Sequence, residues 1–195
     1  MPVGAIVGII IGGIVTIFFL IPFIISFIIV LYAQSNLGIH KIKRGWDKNP
    51  NPDFMMMIDK DWFKENFQKV QIKSKDKKQL NGYLHKEDSN FYIIFCHGYG
   101  GEVVEKTVIL RQLNEKYHCN ILIIEQRAQL TSKAKIITMG VKEGVDLSLW
   151  VSYLIDLNSN AKIMLYGQSM GAATIMNSFN YEIENGKPWE GWIQP

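Results

Sequence analysis

"YGQSMGAATIM", residues 166–176, is the stretch whose reading decides the fold. The run before it, residues 161–166, reads as a buried strand, and residues 170–180 read as a helix. Between them lies G-x-S-x-G, centred on Ser169. A strand that turns directly into a helix needs small residues on both sides of the turning position, and Gly167 and Gly171 supply them. Ala172 and Ala173 let the helix lie close to the sheet. Such a turn lifts the Ser169 hydroxyl above the carboxyl edge of a sheet, with a helix N-terminus beneath it that favours negative charge.

Working outward, "FYIIFC" (91–96) is apolar throughout, as expected of a central strand covered on both faces, and "NILIIE" (120–125) reads as the next buried strand. The first ends in the glycine-rich "HGYGG", residues 97–101. Residues 103–117 carry Ile109, Leu110, Leu113 and Tyr117 on one helical face, and Val145, Leu149, Trp150, Tyr153, Leu154 and Leu157 mark a second amphipathic helix. Strand, helix, strand, helix, strand, helix predicts parallel strands with right-handed crossovers, hence an α/β class. Two further strands, 67–74 and 80–85, flank the charged turn of residues 75–78. A short helix is expected over 54–66.

The first 40 residues contain no charged side chain, so the net charge of +3 belongs to the remainder. Residues 3–33 form one apolar span, about 46 Å long as a helix against roughly 30 Å of hydrocarbon, with Pro22 as its expected kink. One span fits and two do not; no A-x-A cleavage site or basic leader marks a signal peptide. Gly4, Gly8 and Gly12 present a small-residue face suited to pairing two such helices as a homodimer. Lys41, Lys43, Arg44 and Lys48 follow the span, which by the positive-inside rule places the domain in the cytoplasm. The expected organisation is an anchor at 3–33, a juxtamembrane linker at 34–58, a domain at 59–180 and an irregular tail at 181–195.

Basic residues alternate with acids and no nucleic-acid motif occurs, so no nucleic-acid partner is expected. Cys96 and Cys119 read as buried free thiols, and the four histidines (His40, His85, His97, His118) form no ligand cluster. No metal or organic cofactor is implied. Glu125 and Arg127 read as a structural ion pair, and Met55 to Met57 as packing.

The order of "FCHGYGG", "EQRA…ITMGVKEGVDLSLWVSYL" and "YGQSMGAATIM" resembles the α/β-hydrolase superfamily over about residues 60–180, in particular membrane-anchored bacterial serine hydrolases related to serine aminopeptidases. The resemblance implies a mostly parallel sheet with flanking helices, and hydrolysis of a small ester, thioester, amide or peptide-like substrate through an acyl-serine. It makes Ser169 the nucleophile, Tyr99 and Met170 the backbone N–H donors of an oxyanion hole, and His97 and Gly98 loop-ordering residues. After residue 128 such proteins usually continue with His-Gly, where this chain has Gln129-Leu130. They also continue past the nucleophile helix with strands carrying an acid and a histidine, whereas residues 181–195 contain neither Asp nor His. The expectation is a hydrolase sequence whose last strands are missing through a frameshift or gene fragment. The alternatives are an inactive membrane-tethered binding module and a gene remnant.

Overall fold

The computed structural model describes residues 1–35 and 57–179. Residues 41–48, 54–56 and 180–195, on which the basic flank, part of the expected short helix, Met55, Met56 and the tail fall, lie outside the described residues.

The apolar N-terminus forms one helix, α1 (Val3–Gln34), of mean hydropathy 3.1, with none of that stretch buried. It is long and apolar enough to cross a membrane. The disturbance expected at Pro22 falls just before it, as a wide π-turn over Thr16–Leu20. Proline has no N–H to give and its ring crowds the carbonyl four residues earlier, so the turn containing Phe18 opens. A Cβ added at Gly4, Gly8 or Gly12 would meet nothing within 4 Å.

The remaining elements build a layered α/β domain: α2 (Lys60–Asn66), β1 (Gln68–Lys73), β2 (Gln79–His85), β3 (Phe91–Cys96), α3 (Thr107–Tyr117), β4 (Asn120–Ile124), α4 (Val141–Leu157), β5 (Lys162–Gly167) and α5 (Met170–Ser178). The sheet runs β1-β2-β4-β3-β5. β3 pairs in parallel with β4 and β5, while β2 joins both β1 and β4 antiparallel.

Strand alternation sends side chains to two separate cores. Ile94, Cys96, Leu122 and Ile124 face Leu147, Trp150 and Leu154 of α4. Ile93, Phe95, Ile121 and Ile123 face Leu110 of α3, with Trp62 and Phe63 of α2 against them. Each fully buried Ile or Leu contributes about 1.5–3 kcal/mol relative to exposure, which is why the two strands richest in buried apolar side chains, β3 and β4, take the centre.

Three local expectations change. β5 is not a covered strand: Lys162 and Met164 are exposed, and among the described residues no strand pairs with its outer side. The helix expected from 103 starts at Thr107, because residues 103–106 stay in the turns of the preceding loop. The short helix begins at Lys60, where Asp59 accepts the Trp62 N–H at 2.9 Å as an N-cap.

The register fixes where the loops emerge. Cys96 lies opposite both Ile124 and Gly167, so the segments beginning at residues 97, 125 and 168 leave the same carboxyl edge side by side.

Candidate active site

At the turn from β5 into α5, Ser169 has φ 52° and ψ −118°, a conformation L-residues rarely adopt, and the residue is exposed. The turn is closed by Gly171 N–H to Gln168 O at 2.8 Å and by Ala172 N–H to Ser169 O at 2.9 Å. Both flanking glycines are demanded by close approach. A Cβ on Gly167 would lie 2.6 Å from the Gly171 carbonyl carbon, and one on Gly171 would overlap the Cys96 carbonyl oxygen of β3. Ala173 answers a different neighbour from the one expected: it packs on Gly140 ahead of α4, where an added Cβ would come within 2.9 Å of its backbone.

The loop 97–101 abuts this turn. A Cβ at Gly98 would stand 3.4 Å from Gln168 O and 3.5 Å from Ser169 Cβ. His97 is fully buried; with Nδ1–H donating to Gly98 O at 2.8 Å, Nε2 accepts the Gln126 N–H at 3.2 Å. Gln126 ties the two halves together, donating from Nε2 to His97 O and accepting the Thr174 hydroxyl of α5 at 2.8 Å. Gln129 Oε1 accepts the Gly100 N–H at 2.8 Å, so this side chain holds the glycine loop. Leu130 has φ 52°, a backbone position that favours glycine. Beneath the loop, buried Glu105 accepts the Glu102 N–H at 3.2 Å, and burial raises its carboxyl. Among the described residues, the backbone N–H groups of Tyr99 and Met170 have no acceptor.

Glu125 and Arg127 are buried but not paired with each other. Glu125 accepts Tyr83 O–H at 3.1 Å and the Thr131 N–H and hydroxyl at 2.8 and 2.7 Å; burial first, then Glu125, pushes the Tyr83 phenol up to about 12. Arg127 instead grips Asp146 of α4 at 2.7 and 2.9 Å and reaches Asp76 in the β1–β2 turn at 3.2 Å. These networks pin the loop after β4. Cys96 and Cys119 are free and buried, and burial raises both thiols.

The structure brings His97, Gly98, Tyr99, Gly167, Ser169, Met170 and Gly171 together at one edge. It separates His85 and His118 from them. His85 lies opposite Ile121, at the amino end of β4, and His118 ends α3 just before that strand. His40 lies outside the described residues. Gln126 and Gln129 hold the site, yet no spacing or periodicity marks them; only the fold brings them to the loop and to α5. Among the described residues no three His, Cys, Asp or Glu side chains gather as a metal site.

A sheet ordered β1-β2-β4-β3-β5, parallel at its centre, with a left-handed serine between β5 and the following helix, is the α/β-hydrolase fold. The chain's similarities agree. The esterase Pf2001 of Pyrococcus furiosus shares 31% identity with a TM-score of 0.51, over 58% of this chain and 46% of that one. An alpha-beta serine hydrolase homologue from Coxiella burnetii, at 20% identity and TM-score 0.51 over 60% of this chain and 59% of that one, is alike in fold. Protein bem46 of Schizosaccharomyces pombe is 26% identical over 117 residues, 57% of this chain and 38% of that protein. No family model matches the chain. The chain thus spans less than half the length of the esterase and of protein bem46.

Proposed function

We propose that this protein is a membrane-tethered serine hydrolase that cleaves an ester, thioester or amide through an acyl-serine intermediate. Ser169 is the nucleophile; the N–H groups of Tyr99 and Met170 receive the oxyanion. The observation that carries this reading is the left-handed, exposed Ser169 set against a glycine loop whose Tyr99 N–H, like that of Met170, has no acceptor among the described residues. Donors fixed before reaction stabilise developing charge without reorganising. Helix α1 is the tether, with the domain on its cytoplasmic side.

A second reading is favoured by one observation. Among the described residues at this edge the sole imidazole is His97, whose two ring nitrogens already bond within the loops, so none is placed to take the Ser169 proton. In that reading the cleft holds an acyl ligand without turnover. A fluorophosphonate probe separates the two. Labelling of the full chain that disappears in Ser169→Ala is the result expected of the hydrolase. A folded protein that stays unlabelled at every pH would leave the binding reading standing in its place.

A further inference from the structure

The end of α1 is part of the wall of the candidate site. The Tyr99 hydroxyl donates to Ala33 O in the last turn of the helix. The Ile137 N–H donates to Gln34 O at 2.8 Å, and Ser35 forms an antiparallel bridge with Ile136. These are not remote surface contacts: Ile137 and Tyr99 pack with Ala128, Ala134 and Met170 in one apolar cluster, so the helix end, the glycine loop and the residue after Ser169 share a single packing unit. One tyrosine side chain, one Cα step and the approach of Gly98 to Ser169 connect the helix end to the serine, a path of less than about 20 Å.

The helix is apolar up to that contact. Phe27 to Leu31 are all more than half exposed, Tyr32 is exposed at the level where interfacial aromatics sit, and Ala33 already touches Tyr99. Where the helix leaves the hydrocarbon, it therefore meets the carboxyl edge of the sheet with no spacer between them. The segment that clasps it, residues 133–142, exposes Ile136, Met139 and Val141 among Lys133, Lys135 and Lys142. Exposed apolar side chains interleaved with lysines suit a surface that rests in the headgroup layer, the apolar groups entering and the ammonium groups meeting lipid phosphates.

We infer that the substrate is a long-chain acyl ester resident in the bilayer, which reaches Ser169 laterally along the Ile136–Met139–Val141 surface. The inference rests on the serine-hydrolase reading. In the reaction Ser169 Oγ forms a bond to the acyl carbonyl carbon, the bond from that carbon to the alcohol oxygen breaks, and the proton lost by the hydroxyl ends on the departing alcohol. Water then adds to the acyl-serine, releasing the fatty acid and restoring the hydroxyl.

The test uses the full chain in phosphatidylcholine vesicles and two fluorophosphonates, one short and water-soluble, one with a long alkyl chain dissolved in the bilayer. The expected result is labelling of Ser169 by both, faster by at least about tenfold for the bilayer probe. The double variant Ile136→Asp, Val141→Asp, placed at exposed positions, lowers the bilayer-probe rate by at least about fivefold and leaves the soluble-probe rate within about twofold. If that variant does not fold, Lys135→Glu with Lys142→Glu in vesicles containing phosphatidylserine gives the same separation. Labelling by the soluble probe without preference for the bilayer probe, or variants that change both rates equally, overturns the lateral-entry inference while the nucleophile stands. No labelling of Ser169 by either probe overturns the hydrolase reading itself.

Discussion

Replacing Ser169 by glycine and, separately, by alanine divides the hydroxyl from the backbone that presents it. Both variants lack the proposed nucleophile, so neither is expected to take a fluorophosphonate. Their stabilities differ because of the turn. At φ 52° and ψ −118° a residue with a Cβ is strained, by about 1–3 kcal/mol at such sites, and alanine keeps that Cβ. Glycine relieves the strain but adds freedom to the unfolded chain, at about 0.5–1 kcal/mol. Ser169→Gly is therefore expected to exceed Ser169→Ala by about 0.5–2 kcal/mol, a rise of roughly 2–8 °C in Tm. Guanidinium unfolding of each variant, in a detergent that preserves the fold and followed by tryptophan fluorescence, reads the difference; Trp62 and Trp150 report from the two faces of the sheet. Equal stabilities, or a more stable alanine variant, would refute strain storage at Ser169 and with it the view that the backbone is held against its preference to present the hydroxyl.

Two further outcomes test the supporting networks. Gln126→Ala removes a buried side chain that bonds both His97 O and Thr174 Oγ1, so it is expected to cost about 2–4 kcal/mol in denaturant unfolding and to slow labelling of Ser169 by loosening the loop against α5. Asp76 is held below its ordinary value of 3.8 by the Ser74 hydroxyl first and by Arg127 after it. A depressed carboxyl contributes stability that is present above its unfolded pKa and lost as pH falls through the folded one. Thermal melts should therefore drop for the wild type below about pH 4 and drop less steeply for Asp76→Asn, which starts lower at neutral pH; parallel curves would remove Asp76 from the acid response.

Much of the fold is legible because it is written in local periods. The continuous apolar runs 91–96 and 121–124 announce covered strands, and the stripe from Val145 to Leu157 announces a helix that packs on them. G-x-S-x-G between an apolar run and a helix announces its own turn, because only glycine fits where Gly167 meets Gly171 and Gly171 meets Cys96. Element ends are less legible. Hydrophobic spacing extends a helix back to 103, whereas the turns of the glycine loop hold those residues out of it until Thr107.

What the sequence by itself determined is therefore the apolar span, the central strands, the class of the domain and the position of Ser169, since each follows from side chains within a few residues of one another. Tertiary structure alone decided the rest. Among the described residues it made β5 an outer strand, gave Arg127 to Asp146 and Asp76 in place of Glu125, and set Gln126 and Gln129 to hold the glycine loop. It also laid the last turn of the apolar helix α1 against Tyr99, a contact across 66 residues. Partners so far apart are chosen by strand order and register, which no local period encodes; the same buried arginine satisfies its charge wherever the sheet happens to place a carboxylate.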